Sequence, residues 1–220
     1  MHHRRIRSFV KRETRLTPAQ ARALESYLPL YGIERTDAPI DLATLLPYES
    51  IILEIGFGKG ESLFEQAQKN PDTGFIGVEV HRPGVGQFLN RIHKAGLKNV
   101  RVCNQDVVEF LSRLSPASLS GVQIFFPDPW QKARHHKRRL IQASLLDTLF
   151  PLLKTGGFIH CATDWEDYAM SMRDVFAADP RFKNASETGF IPRPDRTVSS
   201  FEARGLRLGH QTWDIWVVGL

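Results

Sequence analysis

The chain has 220 residues, of which 42% are hydrophobic and 24% charged, and a formal net charge of +5. That length supports one domain with a sizeable core, and no apolar run is long enough to span a bilayer as a helix. Two cysteines, far apart and in apolar contexts, exclude a disulfide scaffold and a cysteine-bound metal, and read as small buried hydrophobes of a reduced, cytoplasmic protein.

Residues 1–16 read as a basic arm, and residues 17–220 as a single domain. The first 22 residues hold seven arginines and lysines against Glu13 alone. No apolar stretch follows them, so they do not read as a secretory signal. Thr17-Pro18 is an N-cap with proline at the first helical position, which predicts a helix to about residue 28. Residues 29–48 are interrupted by prolines and are expected to wrap the surface. From Ser50 onwards, short apolar strands alternate with helical patterns. Strands are predicted at 51–55, 74–80, 100–104, 122–126 and 158–162, the last after a Gly156-Gly157 turn. Helices are predicted at 60–69, 83–95 (ended by Gly96), 107–114 and 137–153, with another capped by Asp164 and running to about 178. Residues 182–190 and 211–218 alternate like two final strands. The alternation predicts an α/β fold with a doubly wound, mostly parallel sheet covered on both faces. Ligands of such sheets bind outside the carboxyl ends of the strands.

The first chemical signal is Leu53-Glu54-Ile55-Gly56-Phe57-Gly58-Lys59-Gly60, a strand, a glycine turn and a helix start. Glycines permit a sharp turn and a close ligand approach. The spacing is G-x-G-x-G and departs from the dinucleotide fingerprint G-x-G-x-x-G, which argues for a nucleoside ligand without a pyrophosphate. Glu79 follows at the end of the second strand, where an acid suits ribose hydroxyls. Glu54 is a charge inside an apolar strand and needs a partner there, either a structural one or a cationic ligand. Asp106 and Asp128 fall near the next two strand ends. Four acids so placed repel unless a cation lies among them, and S-adenosylmethionine brings a nucleoside, a sulfonium and an ammonium.

The second signal is Phe125-Phe126-Pro127-Asp128-Pro129-Trp130, followed within nine residues by Lys132, Arg134, Lys137, Arg138, Arg139 and two histidines. Proline has no N–H to continue a ladder, so Asp128 is presented at a strand end beside a flat ring. Trp130 suits stacking on a base as well as it suits a wall of the cofactor site. Basic charge just beyond suits phosphates. A solvated helix face would account for the same run of charge. No histidine has metal-like spacing, and no metal is expected.

These residues resemble the bacterial tRNA (guanine-N7-)-methyltransferase family, a branch of the class I S-adenosylmethionine-dependent methyltransferases. The resemblance runs from Arg4-Arg5-Ile6-Arg7-Ser8-Phe9 through the glycine turn, Gly77-Val78-Glu79-Val80-His81, the Pro-Asp-Pro-Trp and basic segments and Thr163-Asp164-Trp165-Glu166. It closes with Ser200-Phe201-Glu202-Ala203-Arg204-Gly205 and Leu208-Gly209-His210. It implies the seven-stranded, Rossmann-like sheet of that class. It implies methylation of N7 of a guanosine in the tRNA variable loop (position 46), with S-adenosylmethionine as cofactor and tRNA as partner. Glu54, Gly56, Gly58, Glu79, Asp106 and Asp128 would line the cofactor site, with Asp128 catalytic. Lys132, Asp164, Ser199, Ser200, Phe201 and Glu202 would meet the substrate. Where the family often reads Thr-Lys-Phe-Glu, this chain has Ser199-Ser200-Phe201-Glu202, which keeps a hydroxyl and the carboxylate and loses a cation. Read without the resemblance, the residues leave three alternatives open. These are a nicotinamide-dependent oxidoreductase, an amino-group methyltransferase and a non-catalytic RNA-binding protein.

Overall fold

The computed structural model describes residues 15–194, 196–198 and 200–220, with the side chains of Ser200 and Phe201 left aside. Residues 1–14 of the arm expected over 1–16, and Ser199, therefore lie outside the described residues. Thr17 opens helix α1 (Pro18–Ser26) with a capping box: its hydroxyl accepts from the Gln20 amide at 3.3 Å, and the Gln20 side chain accepts from the Thr17 amide at 2.9 Å. A one-turn helix α2 (Leu28–Tyr31) follows, with Pro29 near its start. The segment after it does more than wrap the surface. Its single helical turn α3 (Leu42–Leu45) is capped by Asp41, and Ile40, Leu42 and Leu46 are buried.

Strands and helices then alternate: β1 (Ser50–Ile55), α4 (Glu61–Lys69), β2 (Thr73–Val78), α5 (Arg82–Ala95), β3 (Val100–Cys103), α6 (Val107–Leu111), β4 (Leu119–Phe125), α7 (Ala143–Leu149), β5 (Leu153–Thr163), α8 (Glu166–Ala177), β6 (Phe182–Asn184), α9 (Ser200–Arg207) and β7 (Trp213–Gly219). The seven strands form one sheet in the order β3-β2-β1-β4-β5-β7-β6. β1 pairs in parallel with both β2 and β4, and β7 runs antiparallel between β5 and β6. This is a doubly wound sheet of the Rossmann-like type. Its order reverses at β1 and β4, so their carboxyl ends open side by side.

Successive strand residues point to opposite faces, and both faces are covered. Phe75, Val100 and Val102 pack with Ala23 of α1, Leu63 of α4 and Phe88 of α5. Ile76, Leu53, Val122 and Ile159 pack with Phe110 of α6, Leu146 of α7 and Tyr168 of α8. Cys103 and Cys161 are buried and unpaired. No helix among the described residues is long and apolar enough to cross a membrane.

Four local expectations give way to tertiary context. The helix expected at 137–153 is split into a 3₁₀ turn (Ala133–Arg138), α7 and a second 3₁₀ turn (Phe150–Leu152). Arg139 leaves helical geometry at φ −55°, ψ 139°, and the Gln142 side chain donates to the carbonyls of Lys137 and Arg139. The strand expected at 158–162 is eleven residues long, with Gly156 inside it at φ +75°. The strand expected at 182–190 stops at Asn184, whose side chain closes a turn by bonding Ser186 N and Gly189 O. Asp164 does not cap α8; Trp165 holds that position, without a side-chain bond. Helix α9 had no counterpart in the sequence pattern.

Candidate active site

The glycine turn leaves β1 through Gly56, Gly58 and Gly60, at φ +76°, +58° and +72°. Three left-handed residues in alternation are cheap only for glycine. A Cβ on Gly56 would meet nothing within 4 Å, so that side of the turn is open, whereas one on Gly84 would sit 2.1 Å from the Gly58 carbonyl oxygen. The first turn of α5 is therefore packed hard against the loop. Glu79, just past β2, braces the loop from below. One carboxylate oxygen accepts from Gly58 N at 2.9 Å and the other from His81 N at 2.8 Å.

The turn faces a cavity of about 700 Å³, within the range of small-ligand and cofactor sites. Gly56, Gly58, Glu79, Asp128, Trp130 and Lys132 line it, with Val78, Val80, Val107 and Leu140 as apolar wall. Asp128 stands in a loop strained at both ends: Phe126 and Trp130 have φ +52° and +48°. Such conformations cost on the order of 1–3 kcal/mol each and persist where surroundings over-determine them. Here Phe126 N donates to Ala162 O at 2.8 Å, and the Arg139 Nε–H donates to Pro129 O at 3.0 Å. Arg139 is itself buried, pairs with Asp167 and lies 4.8 Å from the Tyr168 ring centroid. The Arg138 guanidinium sits 3.9 Å from the centroid of the Trp130 ring. Trp130 is thus a cavity wall with a cation on its ring.

The four acids are not equivalent. Glu79 and Asp128 line the large cavity. Glu54, 3% exposed, opens onto an adjoining cavity of about 50 Å³ shared with Gly56, Phe126, Arg196 and Thr197. Its Oε2 has no hydrogen-bond partner among the described residues. Burial, and after it the charge of Glu79, pushes the Glu54 carboxyl up to about 8, while Arg196 pulls the other way. Asp106 is not part of the cavity lining: its Oδ1 caps α6 by accepting from Val108 N at 3.0 Å, and its neighbours Gln105 and Val107 line the cavity instead.

The residues expected to meet a substrate also separate. Lys132 lines the cavity at the head of the cationic 3₁₀ turn. Asp164 lies 3.2 Å from His210 Nδ1 and packs on Gly205, so it ties the end of α9 to the end of β5. Glu202, expected to meet the substrate, is 1% exposed. Arg193 Nε donates to it at 2.8 Å and Arg196 Nη1 at 2.6 Å. Arg196 also grips both carboxylate oxygens of Asp214, at 3.0 and 3.1 Å, and Asp214 pairs with His160 Nε2 at 2.7 Å. Burial pushes the Asp214 carboxyl up, but the bonds from His160 and Arg196 outweigh it and leave it below the usual range. Ser200 and Phe201 begin α9, and Ser199 lies outside the described residues. Sequence reasoning did not single out Arg139, Arg196 or Gln105. Arg139 was legible only as one cation in a run, and the other two carried no signal of their own.

A family model described as a methyltransferase matches residues 48–215. Over 216 residues, 96% of this chain, the sequence is 50% identical to the tRNA (guanine-N(7)-)-methyltransferase of Salmonella choleraesuis (strain SC-B67), 90% of which is covered. It is 51% identical over the same share to that of Edwardsiella ictaluri (strain 93-146), 91% of which is covered. Among solved structures, the fold is similar to a mutant 16S rRNA (adenine(1408)-N(1))-methyltransferase with cosubstrate SAM from Catenulisporales acidiphilia. That match has a TM-score of 0.56 at 16% identity and covers 96% of this chain and 94% of the other. An rRNA methylase from Streptococcus thermophilus matches with a TM-score of 0.54 at 13% identity, over 81% and 92% of the two chains. At these identities the likeness is one of fold.

Proposed function

We propose a function from one premise, that the chain belongs to the tRNA (guanine-N7-)-methyltransferase family. It transfers a methyl group from S-adenosylmethionine to N7 of a guanosine in tRNA, and the acceptor is the variable-loop guanosine at position 46. The observation that carries this reading is the cavity at the carboxyl ends of β1 and β4. A turn of three left-handed glycines opens it, and Glu79 and Asp128 line it beside the enclosed Glu54. The residues fit the cofactor. An unpartnered, buried carboxylate oxygen beside an open glycine suits a ligand that is cationic at one end.

When bound, S-adenosylmethionine supplies an electrophilic methyl group on a positively charged sulfur. Glu54, Gly56, Gly58 and Glu79 hold it, and Asp106 supports them by capping the helix that carries Val107. Guanine N7 already has an in-plane lone pair, so no general base is demanded. Positive charge passes to the purine as N7 is alkylated, and a fixed carboxylate at Asp128 stabilises that charge. The strained loop pre-sets this carboxylate, and Arg139 braces it from behind.

Lys132 and the cations of the 3₁₀ turn bind phosphates, together with the arm over 1–16. Ser199, Ser200 and Phe201 meet the substrate. Asp164 and Glu202 serve by placing α9 and the loop before it. The domain over 17–220 works as one unit in the cytoplasm, where its substrate is.

The test is incubation with an unmodified tRNA transcript and S-adenosylmethionine, then aniline cleavage at N7-methylguanosine. One cut in the variable loop is expected. Asp128→Ala should lose turnover by about 100-fold or more while tRNA still binds. A cut elsewhere, or unchanged turnover in the variant, would remove the assignment.

A further inference from the structure

Arg196 lies in the segment that leads into α9, and it is buried. Its side chain joins parts of the fold that are far apart in the chain. Nε and Nη2 grip the two carboxylate oxygens of Asp214 in β7, and Nη1 donates to Glu202 in α9. Bonds at three of its atoms fix the plane of a guanidinium, which the point charge of an ammonium cannot match. The central carbon then lies 5.3 Å from the ring centroids of both Phe125 and Phe126, within reach of a cation–π contact. Thr197, the next residue, donates to Glu65 of α4 at 2.5 Å and anchors the segment on its other side.

The two rings mark the end of β4 and the start of the loop that carries Asp128. Phe126 is one of the two strained residues of that loop, at φ +52°. Arg139 holds the far end, through the Pro129 carbonyl beside Trp130. At the near end the Phe126 amide donates to Ala162 O, and Arg196 faces the ring. Strained backbone persists only where its surroundings over-determine it. Buried ion clusters add little net stability, since apolar residues of similar volume often hold a fold as well. A fixed cation over Phe126 therefore suits the placing of the loop better than the holding of the fold.

We propose that Arg196 is a positioning residue for methyl transfer. It locks the Phe126 end of the loop and so sets the carboxylate of Asp128, two residues on, against the reacting purine. This rests on the function proposed above. Glu202 holds the same guanidinium, so the helix that opens with Ser200 and Phe201 and the loop that carries Asp128 share one support.

The test is a double-mutant cycle in the full chain, with Arg196→Lys, Phe126→Leu and the two combined. Methyl transfer to an unmodified tRNA transcript is followed well below the melting temperature of each variant, so loss of fold does not enter. Arg196→Lys keeps the charge and loses the planar fork; kcat should fall about tenfold or more, with KM for tRNA within about twofold. Phe126→Leu removes the ring and leaves the buried carboxylates paired. The double variant should be within about twofold of the slower single one. If Arg196→Lys fails to fold, Glu202→Gln, which keeps the fork on Asp214, replaces it in the same cycle and should show the same coupling. Wild-type kcat in Arg196→Lys, or losses that multiply independently in the cycle, overturns the inference while the function stands. Wild-type protein that makes no N7-methylguanosine removes the function proposed above, and the inference with it.

Discussion

Glu54→Gln isolates the cost of holding an acid inside β1. The Glu54 carboxyl is buried, and burial, followed by repulsion from Glu79, lifts its pKa from 4.5 to about 8. An acid that titrates higher folded than unfolded binds more protons in the folded state, so stability falls as pH rises between the two values. Below about pH 4.5 both states are protonated and no penalty operates; above about pH 8 the penalty is complete. At about 1.36 kcal/mol per unit, wild-type protein should lose about 3 kcal/mol between pH 5 and pH 8 that Glu54→Gln does not lose. Urea unfolding of both proteins at the two pH values measures this as a difference of differences, in which the titrating groups not coupled to Glu54 cancel. Parallel pH dependence, within about 0.5 kcal/mol, would refute the reasoning. The same variant should bind S-adenosylmethionine about tenfold or more weaker, so the substitution that relieves the strand impairs the site.

Three further outcomes follow from the same geometry. Gly84→Ala places a methyl group against the Gly58 carbonyl, where a Cβ would approach to 2.1 Å; a thermal melt should show a loss of about 1–3 kcal/mol, with weaker cofactor binding in a parallel titration. Arg139→Met strips the donor from the Pro129 carbonyl; kcat should fall by about tenfold or more with KM for tRNA little changed, and an unchanged kcat would show that the loop needs no brace. Lys132→Ala should weaken tRNA binding and lower the slope of log K against log salt by about 1 in filter-binding assays, whereas an unaltered slope would place Lys132 away from phosphate.

Within the site, legibility tracked the range of the interaction. The glycine turn was readable because three alternating glycines are a local demand for left-handed backbone, and Gly56, Gly58 and Gly60 all adopt it. Asp128 was readable because two prolines end a strand wherever they occur. The partners of Glu202 and Asp164 were not legible because they come from other parts of the fold: Arg193 and Arg196 fold over one, and His210 and Gly205 meet the other.

What the sequence alone determined is the alternation of strands and helices, the acids near successive strand ends and the family to which they point. These rest on periodicity and punctuation within about ten residues, which physical chemistry reads locally. Only the tertiary structure decided which acids face the cavity and which hold the scaffold. Glu54 is enclosed, Glu79 braces the glycine turn, Asp106 caps α6, and Gln105 has its amide in the cavity wall. The reason is that burial and hydrogen-bond satisfaction are properties of the whole packed chain: a carboxylate or amide takes its role from whatever other segments bring against it.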